Sequence, residues 1–483
     1  MLTHENVVQQ IKDADLVIVP DLGSTTAADY FEAARILELG EAAARAQAGS
    51  LARFALPEEE FKERLARRLH APLPGPPRID AITVEGATRV DPRIIQSRMR
   101  TRPGEPLALE TLKRDIARIY ELGDFERVDY AVDQEEGKTK LVIRAREKSW
   151  GPNYLRFGLN VRNDLEGNTD FTVISRLTAT RLNPLGAEWR SDVEIGHNRR
   201  ISTEFYQPLD FPGVFFVVPS VDFGNSTADV FDDNDRLIAQ FQTRATLGSL
   251  ALGAQLGRYG ETRFGVTRGR VRARPGIGTL TLPLSAVTTA AYAGHVVIDR
   301  LDDPNFPHQG RRALLDAYLA RRSLGSDASY DRVQGGIVQI FGRRRHQIFI
   351  GIEGGSNLGS DIPFYDQFSV GGLFSFSGFK DGQLSGQVYG VTRLGYYRRS
   401  GKLSSLTGRG IYVGGWLEAG NTWRTSRDAT LHDLRYASTL ALGVDTFFGP
   451  LFLAYGHADG GHDAFYLSLG RSLGGRRQFG LGH

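Results

Sequence analysis

Two stretches of this chain carry the letters of a serine hydrolase. Gly470-Arg471-Ser472-Leu473-Gly474 fits the G-x-S-x-G elbow, and Asp459-Gly460-Gly461 places an aspartate beside glycines. An elbow works only as a strained strand-to-helix turn that exposes the serine hydroxyl beside backbone oxyanion donors, with a partner to activate it. Ser472 ends a strand-like run with no helical pattern after it, and Asp459 lies between the runs 450–457 and 464–470, where Asp-Gly is an ordinary hairpin turn. Both read as structural. His457, Asp459, His462 and Asp463 could be drawn as a metal cluster, but hairpin loops are rich in such residues and no His-x-x-x-His spacing accompanies them. Glu5, Asp13 and Asp15 lack a nucleophile partner and read as surface. No catalytic residue, metal ligand or cofactor is assigned.

The elements that would have to position these residues are strands. Leu155-Arg156-Phe157-Gly158-Leu159-Asn160-Val161-Arg162 alternates apolar with polar or small residues, as do Gln347–Glu353 and Ala464–Leu469. With a side-chain period of two, each run offers one apolar and one hydrophilic face. A soluble sandwich would press the apolar face on a second sheet; an outer-membrane barrel would turn it to lipid and line a wet lumen with the other. Pattern alone does not separate these.

Composition narrows the choice. The chain has 483 residues, ample for two or three domains, and 59 Lys+Arg against 56 Asp+Glu leave no field for nucleic acid. No apolar run approaches the ~18–20 residues of a spanning helix, so only a closed barrel could cross a bilayer. The absence of Cys removes disulfides and thiolate chemistry. Seventeen strand-like runs follow Pro152, and reading 235–258 as one long, kinked strand gives sixteen, the even number needed to bring both barrel ends to the periplasmic side. The least regular connections are 224–235, 275–285 and 358–383.

Residues 1–72 look like the end of something larger: a buried-type strand at Ala14–Pro20, a helix from Asp29 to Gln47 with Gly49 placed to end it, and a charged helix from Pro57 to Leu69. Pro72, Pro74, Pro76 and Pro77 mark the clearest boundary. The start, Met1-Leu2-Thr3-His4-Glu5, shows no signal peptide, so the expectation is that an exported barrel has lost its beginning here. A β-α-α-β-β module follows. Ile79–Val84 is its first strand, Asp91-Pro92 starts a helix, Leu109–Leu122 is a second helix with Leu112, Ile116, Ile119 and Tyr120 on one face, and strands run at Val128–Val132 and Leu141–Ala145.

This module, residues 73–150, resembles a POTRA domain of the BamA superfamily. The matching features are Ile82-Thr83-Val84-Glu85-Gly86, Gly104-Glu105-Pro106-Leu107, and Ile119 to Val128 with Gly123, Phe125 and Val128. The second half, 151–483, is similar to the barrel of that superfamily. Asp299, Asp302, Pro307 and Gly310 match its strand and periplasmic turn, and Gly371, Gly372, Phe376, Ser377, Gly378 and Phe379 match the loop that folds back into the lumen. In the family an Arg usually stands where Ser377 stands, pairing with a lumen carboxylate; its absence implies that the charged latch is lost. Residues 1–50 resemble the last strand and helix of a patatin-like phospholipase.

The order implies a patatin-like autotransporter of type Vd secretion, the PlpD type: a patatin remnant in 1–72, one POTRA domain, and a 16-stranded outer-membrane β-barrel. The resemblance implies export and anchoring of a patatin-like phospholipase at the surface of a Gram-negative outer membrane. This chain itself lacks the catalytic dyad and is expected not to be an enzyme. Implied partners are outer-membrane lipid, the barrel assembly machinery during insertion and the chain's own patatin passenger, with room for a homodimer. Two alternatives stand beside it: a BamA-superfamily polypeptide transporter or assembly factor, and a phospholipase whose catalytic part lies upstream of Met1.

Overall fold

The computed structural model describes residues 11, 14–23, 33–70, 76–135, 137–163, 169–196, 199–231, 237–278, 286–401, 408–446 and 448–470. Ser472 and the Pro72 and Pro74 of the boundary lie outside them. Contacts divide the chain after Pro77 into two units. In the first, α1 (Ala33–Ala46), α2 (Ala48–Ala52) and α3 (Glu58–His70) carry the expected helical pattern. Gly49 ends nothing: the break falls at Gln47, and Gly49 sits inside α2. Residues 14–20 form no strand, and Val19 is 77% exposed. A lone strand leaves its backbone groups unpaired, and no described segment offers it a neighbour.

The second unit begins with the αβ module: β1 (Ala81–Glu85), α4 (Pro92–Ser97), α5 (Leu109–Tyr120), β2 (Phe125–Glu135) and β3 (Lys138–Glu147). Its sheet has the order β1-β3-β2, parallel between β1 and β3 and antiparallel between β3 and β2. Asp91 caps α4 by accepting the Arg93 N–H at 2.9 Å, with Pro92 in the first turn. Leu112 and Ile119 bury fully with Ile79, Ile95, Phe125 and Leu141, and Ile116 packs against them. Tyr120 does not join them and is half exposed. The buried stripe follows i, i+4, i+7 from Leu112, which leaves position 120 off its edge.

Sixteen strands then close into one antiparallel barrel. They are β4 (Asn153–Asn163), β5 (Thr169–Ala179), β6 (Glu188–Gly196), β7 (Arg199–Pro208), β8 (Phe215–Phe231), β9 (Leu237–Gln255), β10 (Gly260–Gly278), β11 (Val287–Asp299), β12 (Gly310–Ala320), β13 (Tyr330–Arg343), β14 (His346–Ser356), β17 (Val388–Gly401), β18 (Gly408–Trp423), β19 (Arg435–Thr446), β20 (Gly449–Ala458) and β21 (His462–Gly470). The short pair β15 (Phe368–Val370) and β16 (Leu384–Gly386) lies in the connection between β14 and β17. β21 pairs with β4 to close the ring. Residues 237–255 are the single strand expected, whereas 224–231 and 275–278, read as irregular, extend β8 and β10.

Alternation decides the sandwich question. Leu155, Phe157, Ile348, Ile350, Ile352, Phe465 and Leu467 all point outward and are exposed, Phe157 by 69%. A ring has no second sheet to cover them, and an exposed apolar face of this extent is stable only against lipid. The inward faces of the same strands carry Arg156, Gln347, Glu353 and Tyr466. No described helix is long and apolar enough to cross a membrane.

Candidate functional site

Strand parity fixes the ends of the barrel. β4 leaves the αβ module, so the turns after β5, β7, β9 and β11 lie at the module's end and the connection between β14 and β17 lies at the far end. That connection does not stay outside. Its arms pair as β15 and β16, and the segment Gly371–Phe379 between them runs into the lumen.

Phe376 and Phe379 are fully buried and stack at 5.3 Å, nearly parallel. Val370, Leu384, Val391, Ala437 and Ala458 complete their apolar seat. Gly378 has φ +89°, and a Cβ there would stand 2.7 Å from the Ala458 Cβ and 2.8 Å from its backbone nitrogen. Only glycine fits so close a backbone approach at that dihedral. The Gly378 N–H donates to the Tyr466 hydroxyl at 2.9 Å, which in turn donates to the Phe379 carbonyl at 3.1 Å. Gly371 and Gly372 make the entry turn, and the Gly372 N–H donates to the Phe379 carbonyl at 2.9 Å.

The loop supplies no cation at position 377; its backbone meets a charge pair of the barrel wall. The Ser377 N–H donates to Glu418 Oε2 at 2.8 Å, while Glu418 Oε1 meets Arg393 Nε at 2.8 Å. Arg393 also reaches Glu353 at 2.8 Å and the Ser375 carbonyl. Arg393 stands on the barrel wall, so the cation comes from β17 and the loop contributes backbone. Ser377 itself is fully buried with its hydroxyl unpartnered among the described residues. Beyond the seat, Asp381 meets Arg162 of β4 at 3.1 Å.

The turn carrying Asp299, Asp302, Pro307 and Gly310 joins β11 to β12 at the module's end and folds under the lumen. Its acids hold it together: Asp299 accepts the Leu301 N–H, Asp302 those of His308 and Gln309, and Asp303 those of Asn305 and Phe306. Phe306 stacks on Tyr412 at 4.0 Å and meets Phe452 at 5.2 Å, Asn305 donates to Asp445 at 2.9 Å, and the Pro307 carbonyl accepts the Tyr397 hydroxyl. At Gly310, φ +116°, a Cβ would overlap the Arg300 carbonyl at 2.1 Å.

The αβ module is clamped to the same mouth. Asp124 pairs with Arg181 and Glu121 with Arg258 at 2.8 Å; the Arg93 guanidinium lies 4.3 Å over the Phe211 ring. Gly123 precedes Asp124, Phe125 is fully buried, Val128 packs on the core and Gly86 turns the chain after β1. Inside the module, burial opposes ionisation of Asp115. Hydrogen bonds from the Thr101 hydroxyl and the Arg100 and Thr101 N–H groups, with Arg118 nearby, outweigh it and hold the carboxyl below its usual range. Glu147 is lowered in the same way against its own burial, by Val90, Arg89 and Thr88.

Between these two ends lies a cavity of 990 Å³, lined at the module's mouth by Leu122, Gly123 and Asp124 and under the loop by Phe374 and Arg393. Its walls carry paired charges, Arg176 with Asp192 at 2.6 Å and Arg190 with Glu204 at 3.0 Å, and a hydrogen bond between His295 and Asp316 at 2.5 Å. The residues that looked like chemistry in sequence are occupied elsewhere. Asp459 sits in the β20–β21 turn and accepts the Tyr436 N–H at 2.7 Å; Asp463 takes the Tyr455 hydroxyl and His457; His462 faces the Phe379 ring at 4.7 Å. The residues that hold the loop, Arg393, Glu418, Glu353 and Tyr466, carry no sequence signal of their own, since every strand of a polar lumen supplies such side chains.

An Omp85 superfamily domain matches residues 183–473, and a POTRA domain, the surface antigen variable number repeat, matches residues 77–148. Comparison with curated proteins gives no match. Among solved structures, BamA from Haemophilus ducreyi lacking POTRA domains 1–3 is similar at TM-score 0.63 and 14% identity, over 81% of this chain and 84% of that one. CdiB from Escherichia coli is similar at TM-score 0.53 and 14% identity, over 82% of this chain and 77% of that one. At such identities the likeness is one of fold. With the family domain spanning most of the barrel and a POTRA domain clamped to its mouth, the chain belongs to the Omp85 superfamily and is an outer-membrane β-barrel protein.

Proposed function

We propose that this chain is a translocator and anchor: it lies with its POTRA domain in the periplasm and carries a patatin-like phospholipase passenger to the cell surface, without catalysing hydrolysis itself. The carrying observation is the cavity, which begins among POTRA residues and stops beneath Phe374 and Arg393. A path through the barrel then requires one step, displacement of the loop from its seat. The patatin part rests on the sequence resemblance of residues 1–50, and the anchoring part on the lack of an elbow in a strand-to-helix setting.

The test uses a patatin-like domain fused ahead of residue 1, with surface exposure read by protease added to whole cells. The chain has no cysteine, so Arg162→Cys and Asp381→Cys introduce one pair where the loop meets β4, spanned by a bis-maleimide with an internal disulfide because an Arg–Asp contact leaves the two Cβ atoms beyond direct disulfide reach. Exposure that falls when the pair is cross-linked and returns with reductant supports the reading; exposure indifferent to the tether refutes passage past the loop. The unfused chain should not hydrolyse a short-chain ester, and turnover abolished by a serine-reactive phosphonate would overturn the anchor role. The assembly-factor alternative draws on β2, the outer strand of the POTRA sheet, as an edge for strand addition. It gains if loss of the protein depletes other barrels.

A further inference from the structure

β8, β9 and β10 have 17, 19 and 19 residues, whereas a membrane strand needs about 9–11. β10 starts at the POTRA end, so with about nine residues in the hydrocarbon roughly its last ten, from Gly269 on, stand beyond it at the far end, with Arg268 at the boundary. Its even-numbered residues face outward. Phe264 and Val266 are exposed to lipid, and above them on the same face come Arg268, Arg270, Arg272 and Arg274, all exposed. Alternate residues of a strand are about 6.8 Å apart, so the four guanidinium groups climb a ladder roughly 20 Å long.

β9 adds Arg244 directly opposite Arg272, its guanidinium 3.1 Å from Asn225 of β8. Like charges opposed across a sheet disfavour it. Among the described residues no carboxylate pairs with Arg268, Arg270, Arg272 or Arg274, although the lumen of the same barrel pairs its arginines repeatedly. The apolar surface directly below is continuous: Leu250 and Leu252 on β9, Val221 and Phe223 on β8, and Tyr292 of β11 stacked with Phe264 at 6.3 Å.

One occupant satisfies both halves of this face. We propose that the outward surface of β9 and β10 binds the phosphate-bearing glycolipid of the outer leaflet, a diphosphorylated lipid A. Its acyl chains lie on Phe264, Val266 and Leu250, and its phosphates sit between Arg268, Arg270 and the pair Arg244–Arg272. Guanidinium groups match phosphate oxygens in bidentate geometry, and the ion pairs offset the repulsion within the ladder. The assignment rests on the orientation proposed above, with the POTRA domain in the periplasm.

The experiment uses the full chain in dodecyl maltoside and two probes, hexa-acylated lipid A with both phosphates and the same glycolipid with its phosphates removed. The phosphorylated probe should bind at least about tenfold tighter, and the combined Arg268→Gln, Arg270→Gln, Arg272→Gln, Arg274→Gln variant should lose roughly a hundredfold. Lysine at all four positions should keep most of the affinity. Both variants should keep the compact electrophoretic band, because none of the four makes an ion pair among the described residues and only Arg268 rests on another segment, its guanidinium against Gly325 of the β12–β13 connection. Equal binding of the two probes, or unchanged binding by the glutamine variant, overturns the proposal. Orientation is read separately with Gln242→Cys and a membrane-impermeant maleimide. Labelling of intact cells upholds it. Labelling only after the outer membrane is permeabilised overturns the orientation and the glycolipid assignment together, whereas outside labelling with indifferent binding overturns the glycolipid assignment alone.

Discussion

Arg393 on β17 and Glu418 on β18 stand directly opposite each other in the sheet register, Nε and Oε1 2.8 Å apart, and together they hold the backbone of a loop that belongs to neither strand. Glu418 is fully buried on its side chain and Arg393 nearly so. Removing one partner of a buried pair strands the other, at a cost of about 3–5 kcal/mol. Arg393→Met should therefore lower the temperature at which the compact gel band is lost. Adding Ser377→Arg, which brings a cation back from the loop side, should restore part of that loss. A double variant no better than the single one would show that the site needs the cation on the wall.

Within the loop, backbone geometry and aromatic burial should outweigh the hydroxyl. Phe379→Ala should cost about 3–5 kcal/mol by emptying the seat. Gly378→Val should be comparably damaging, because its Cβ would press on Ala458. Ser377→Ala should leave the transition unmoved, since its hydroxyl has no partner among the described residues. Equal damage from Ser377→Ala and Phe379→Ala in the same assay would disprove this ranking.

The turn beneath the lumen makes a parallel case at the other end. Phe306→Ala removes the ring stacked between Tyr412 and Phe452 and should destabilise by about 3–5 kcal/mol. Planar-bilayer conductance should also rise, as the mouth loses its cover. Conductance and stability both unchanged would mean that the turn only rests against the wall.

Acid should loosen the POTRA domain before the barrel. Asp115 has a folded pKa below its unfolded value, so its contribution is complete above about pH 4 and is lost as pH falls through the lower folded value. Asp115→Asn gives up charge-assisted bonds to Arg100 and Thr101 and should cost about 1–3 kcal/mol at neutral pH. It should also flatten the acid dependence. Amide exchange at residues 98–120 of the full chain measures both; an acid profile unchanged by the substitution would remove Asp115 as its source.

The architecture was legible in the residues because it rests on local rules. Period-two runs such as 155–162 gave the strands, Leu112, Ile116 and Ile119 gave a helix face, and Asp91-Pro92 its start. The parity of crossings settled 237–255 as one strand. What alternation could not decide was whether the apolar faces meet a second sheet or lipid, since a strand reads the same in both. Closure of β21 onto β4 decided it. The segment 14–20 had a strand's composition, but a strand exists only where a neighbour accepts its hydrogen bonds. What stands in for a loop cation could not be read from the loop either. Ser377 was compared with the residue expected at its own position, while the charge beside the loop comes from position 393; the register of β14, β17 and β18 and the infolding of the connection between β14 and β17 bring Arg393, Glu418, Glu353 and Ser377 to one point. Sequence specifies which faces are polar; strand register and the infolded loop decide which of those polar groups meet, because which residues stand opposite one another on neighbouring strands is not contained in any local pattern.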